Sequence, residues 1–113
     1  MSRFGKYLGF MEIKVGEETL EVRPTLRHKQ KLLGLQQNAK KGMSEADWAE
    51  QHRIFKEILK TADETAVDEE LDGFLMKHDI DFMMSLYVGF GWAKEEDLDR
   101  LKGELTQKVV EEN

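Results

Sequence analysis

At 113 residues, with 40% hydrophobic and 35% charged side chains, the chain has room for a single domain, 1–113, with a modest core. Zero cysteines exclude disulfides and thiolate metal ligands, and no apolar run approaches the ~18 residues of a membrane span. The net charge of −6 is uneven: residues 1–60 carry 12 Lys/Arg against 8 Asp/Glu, for +4, and residues 61–113 carry 5 against 15, for −10. Halves of opposite sign can pair within one molecule or between copies, so a homo-oligomer is one expectation. The opening MSRFGKYLGF lacks the continuous apolar stretch of a secretory leader, and a cytoplasmic location is expected.

Residues 1–9 carry no periodic pattern and read as a segment free to fray. From Phe10 the pattern sharpens. FMEIKV and TLEVR alternate about Gly16-Glu17-Glu18, which predicts a β-hairpin with Met11, Ile13, Val15, Leu20 and Val22 on one apolar face. Pro24 donates no backbone hydrogen bond and ends the second strand, and Thr25 stands where an N-cap belongs. The helix from Leu26 to about Ala39 takes Leu26, Leu32, Leu33 and Leu35 as its apolar positions. Ser44-Glu45-Ala46-Asp47 approximates a capping box with Asp in place of Glu. It opens a helix to about Ala62 whose apolar face reads Trp48, His52, Phe55, Ile58, Leu59 and Ala62.

The stretch Asp68 to Trp92 is the most apolar of the chain, holding three of its six Phe, three of its six Met, one of two Tyr and one of two Trp. Asp68 can cap a short helix holding Leu71, Phe74, Leu75 and His78, and Asp79 can cap a second from Ile80 to about Val88 or Phe90. The second is apolar nearly all round, so it belongs in a core or an assembly. Gly89 and Gly91 end it, one of them left-handed, with Trp92 tucked under the turn. The predicted core centres on Phe74, Leu75, Ile80, Met83, Met84, Tyr87 and Trp92. Lys94 to about Val110 reads as an acidic helix with a thin stripe of Leu98, Leu101, Leu105 and Val109, loosely packed or completed on a partner. The expected fold is therefore α+β and mostly α, an N-terminal hairpin followed by four or five amphipathic helices.

Three chemistries compete on these residues. Laid on a twelve-residue calcium loop, Asp68 to Asp79 places Asp68, Glu70, Asp72 and Asp79 at ligand positions and Gly73 at the turn. Against this, Asp79 is too short for the bidentate last position, and the Leu71, Phe74, Leu75, His78 spacing is helical. Arg23, Arg27, Lys29, Lys31, Lys40 and Lys41 invite a helix-turn-helix DNA-binding reading, which the overall acidity and the absence of interleaved aromatics argue against. No nucleophile motif, phosphate loop or dinucleotide fingerprint occurs, so neither an enzyme nor a cofactor is expected. The run Phe82-Met83-Met84-Ser85-Leu86 reads as core that can also adapt to irregular apolar partners.

The strand-to-helix junction Val22-Arg23-Pro24-Thr25-Leu26-Arg27, and the order of elements over about residues 11–110, resembles the tail assembly chaperones of tailed viruses. The resemblance implies a helical body with a small β element, no catalysis, and transient binding to a long tape-measure protein and to tail-tube subunits. On that basis Arg23, Arg27, Met83, Met84, Leu98, Leu101 and Leu105 are the expected partner contacts.

Overall fold

A computed structural model describes residues 3, 10–39, 41–97 and 100. Its elements run β1 (Met11–Val15), β2 (Glu18–Val22), α1 (Leu26–Ala39), α2 (Glu45–Lys60) and α3 (Asp68–Gly89), then a 3₁₀ turn at Glu95–Asp97. The fold is α+β and mostly helical. The hairpin turns on Gly16-Glu17, with Gly16 at φ +64°, a conformation that L side chains adopt only under strain. A two-residue connection sets Val15 opposite Glu18 and Ile13 opposite Leu20, on one face of the ribbon. Ile13, Val15 and Val22 are buried there, and Met11 and Leu20 are half-buried.

By the density of its internal contacts the chain divides into two units, Met1–Met11 with Glu21–Gly73, and Glu12–Leu20 with Phe74–Asn113. In the first, α1 and α2 pack against each other. Lys31 reaches Glu50 and His28 reaches Glu57, so the two helices run antiparallel. Leu32 and Leu35 of α1, and Ile54, Phe55, Ile58 and Leu59 of α2, supply its buried apolar side chains together with Leu71. The backbone N–H of Arg23, just past β2, donates to Thr61 Oγ1 at 2.7 Å, tying the strand's exit to the end of α2.

In the second unit the Ser85 hydroxyl donates to the Lys14 carbonyl, fastening α3 to β1. The His78 ring lies beside Gly16, 3.7 Å from where a Cβ would stand. Phe82 and Leu86 are fully buried, with Leu75 and Met84 close to it. Phe74 meets Phe82 edge-on at 6.3 Å. The end of α3 is a Schellman turn: Gly91 is left-handed at φ +83°, its N–H bonds to Val88 O, and Trp92 N–H reaches back to Tyr87 O at 2.8 Å. The Trp92 ring closes on Tyr87 at 5.3 Å, the apolar contact that accompanies such caps.

Several expectations are corrected here. Three α-helices, not four or five, stand among the described residues, and the two segments expected on either side of Asp79 fall within one of them, α3. The junction expected between them is present as a non-helical kink at His78 (φ −132°, ψ 19°), one residue before Asp79. Leu26 and Leu33 of α1 are exposed, since at 100° per residue they lie opposite Leu32 and Leu35. Trp48, His52 and Ala62 are exposed as well, and Ile54 takes the central place on α2. Phe74, Ile80, Met83, Tyr87 and Trp92 are half-buried rather than central. Of the predicted helix 94–110, all beyond the 3₁₀ turn except Arg100 lies outside the described residues, as do residues 1–9 apart from Arg3.

Candidate interaction surface

The junction after β2 is built by reciprocal capping. Thr25 Oγ1 accepts the His28 N–H at 3.1 Å while His28 Nδ1 accepts the Thr25 N–H at 3.1 Å, so an imidazole does the work of the usual glutamate. With Nδ1 used as an acceptor, the ring proton sits on Nε2 and donates to Glu57 Oε1 at 3.2 Å. A single side chain thus starts α1 and joins it to α2. At the head of α2, Ser44 Oγ accepts from Asp47 N–H and Asp47 Oδ2 accepts from Ser44 N–H, the capping box expected from sequence. Both helices therefore hold their first turns rigidly and present fixed outer faces.

On the outer face of α1, Leu26 is 70% exposed and Leu33 43% exposed, and both Gln30 and Gln37 are exposed. These four residues follow the spacing i, i+4, i+7, i+11, one stripe turned away from Leu32 and Leu35. Arg27 stands exposed beside it, and no carboxylate occurs anywhere on α1. Gly34 adds no bulk: a Cβ there would meet nothing within 4 Å. On α2, Trp48 is 57% exposed.

The remaining expected contacts are placed as follows. Arg23 is exposed and lines an open, charged cleft with Glu21, Glu57, Lys60 and Thr61. Met83 is half-buried and Met84 buried, so Met84 packs inside the chain instead of facing a partner. Leu98, Leu101 and Leu105 lie outside the described residues. Met76 is 84% exposed, a surface methionine that the sequence reading left among its core-rich segment.

The would-be calcium ligands are not in a loop. Asp68, Glu70, Asp72 and Asp79 all lie on α3, where the helical path spreads their carboxylates. Val67, not Asp68, caps the helix: its carbonyl accepts from Glu70 and Leu71, and Glu70 Oε1 reaches back to the Val67 N–H at 3.0 Å. Asp72 accepts from His52 Nε2 at 2.8 Å and from Lys56 Nζ at 3.2 Å, and Lys56 also lies 3.7 Å from Asp68. His52, then Lys56, hold the Asp72 carboxyl below the usual carboxylate range. Asp79 Oδ1 takes only the N–H of Ile80. Among the described residues no three His, Asp or Glu side chains converge as metal ligands would.

On the solvent side of α2, Arg53 bonds to Glu50 and Glu57, and its guanidinium holds Glu50 below the usual carboxylate range. No protein-family model matches the chain, no curated protein matches it in sequence, and no solved structure matches it in fold. Among the described residues no helix is long and apolar enough to cross a membrane.

The exposed leucines carried a signal in the sequence. Leu26 and Leu33 are seven apart and share a face, while Leu32 and Leu35 are three apart and share another. One amphipathic helix has one core stripe, so two leucine stripes on a fourteen-residue helix leave one of them for something else.

Proposed function

We propose that this chain is a non-enzymatic assembly chaperone or adaptor of the viral tail-assembly kind, acting in the host cytoplasm. It binds apolar helical segments of a tape-measure-like protein and keeps them from aggregating until they are built in. The observation that carries this reading is the outward Leu26 and Leu33 on a helix fixed at its start by Thr25 and His28. A capped helix that turns leucine to water loses hydrophobic stabilisation that a partner's apolar face would return, about 25 cal/mol for each Å² covered. Exposed Trp48 adds an aromatic side chain of the kind that anchors protein interfaces.

Co-expression with a tape-measure fragment tests the reading. The fragment should stay soluble and co-purify with the chain, and the pair of substitutions Leu26→Glu and Leu33→Glu should return it to the insoluble fraction. Equal solubility of the fragment with and without the chain would overturn the proposal.

A further inference from the structure

His28 both caps α1 and ties it to α2, and its side chain is only 14% exposed. The imidazole meets these two duties from opposite ring nitrogens. Nδ1 accepts the Thr25 N–H, and Nε2 carries the ring proton toward Glu57 Oε1. A second proton can enter only at Nδ1, the nitrogen that holds the cap. Once there, it sets N–H against N–H across 3.1 Å, and the Thr25 donor loses its acceptor. The other two bonds are not lost. Thr25 Oγ1 still accepts the His28 N–H, and the Nε2 contact with Glu57 becomes charge-assisted.

The charges around the ring decide which half of this exchange wins. From α2, Glu57 faces the imidazole, and Arg53 is bonded to the other oxygen of the same carboxylate. Glu21 and Arg23 around the end of β2, with Lys60 and Glu64 at and beyond the end of α2, line an open cleft with Glu57. On α1 itself stand Arg27 and Lys29, and its first turn holds no acidic residue. A further cation at that end opposes the helix dipole. Glu57 already serves Arg53, so what Nε2 gains is shared, while what Nδ1 gives up is the whole of its bond.

We infer that His28 is a pH-operated latch, in which protonation at Nδ1 frees the Thr25 N–H from the first turn of α1 while the tie to α2 holds. The latched turn includes Leu26, the most outward leucine of the helix. The chain carries its own comparison. At the head of α2 the Ser44–Asp47 box does the same job with a carboxylate, a class of group that titrates in stronger acid than imidazole does.

Nuclear magnetic resonance of the whole chain between about pH 8 and about pH 5, the interval in which imidazole changes charge, tests this. At the upper end the His28 nitrogen shifts should be those of the ring protonated at Nε2. On acidification Nδ1 should gain a proton, and the Thr25 amide resonance should move with the same midpoint. Protection of that amide, measured against an unstructured chain, should fall about threefold or more. The Asp47 amide should stay in place, and circular dichroism should show unchanged helix content. A glutamine side chain can accept the same N–H and takes up no proton, so His28→Gln should hold Thr25 protected throughout and abolish the shift.

A proton on Nδ1 at the upper end of the interval overturns the inference, as does a ring that never gains a second proton within it. So does a Thr25 amide that stays put while His28 titrates, or one that still responds in His28→Gln. Loss of helix content over the same interval also overturns it, because the opening is then not local. Should His28→Gln not fold, the wild-type titration decides by itself.

Discussion

Asp72 is where the charges of α2 and the first turns of α3 meet. Its carboxylate accepts from His52 and Lys56, and both partners favour the ionised form. The folded pKa is thus depressed relative to the unfolded one. The resulting stabilisation is present above the ordinary carboxylate pKa, about 4, and is lost as pH falls through the lower folded value. Thermal denaturation of wild type and Asp72→Asn should show a wild-type advantage at pH 7 that shrinks below about pH 4 and disappears in stronger acid. An advantage unchanged from pH 7 to pH 2 would mean that the pair does not act through ionisation. Both His52 and Asp72 are roughly half exposed, so the advantage is small, as solvent-screened pairs are. The same residue shows where sequence reading stops. Its type and its place near other acids suggested a metal ligand, and only the approach of His52 and Lys56 from α2, 20 and 16 residues earlier, made it an ion-pair partner.

At the scale of the element, α1 distinguishes two neighbouring leucines of identical chemistry. Leu32 is 2% exposed and Leu33 is 43% exposed, because one residue along a helix is a rotation of 100°. Leu32→Ala should destabilise the protein by roughly 2–5 kcal/mol, the range for truncating a core leucine, while Leu33→Ala should stay within about 0.5 kcal/mol. Urea denaturation checks both. If Leu33→Ala costs as much as Leu32→Ala, the outer stripe is part of the fold and not a surface for partners. The extents of α1 and α2 were legible in the sequence, since Pro24, Thr25, Ser44, Asp47 and Gly42 act on backbone groups within a few residues of themselves. The orientation of each helix was not. The break expected at Asp79 is present one residue earlier, where His78 leaves the helical conformation and the Asp79 side chain accepts the Ile80 N–H.

For the whole molecule, the charge balance governs behaviour in solution. The net charge is −6 at neutral pH, and the sequence isoelectric point is about 5.1. Leu26, Trp48 and Met76 are exposed, so near pH 5 the loss of net repulsion should let these apolar surfaces associate. Light scattering across pH 4–8 should pass through a maximum near pH 5, lowered in Leu26→Glu; a flat profile would mean that the exposed apolar residues do not drive association. The sequence by itself determined the α+β class, the hairpin and its turn, the starts of α1 and α2, and the left-handed end of α3. Each of these depends on local interactions: alternation, caps, and glycine's freedom at positive φ. Tertiary structure alone decided that Leu32 is core and Leu33 is surface, and that Asp72 pairs with His52. Those outcomes depend on the direction from which a distant element arrives, which residues close in sequence do not encode.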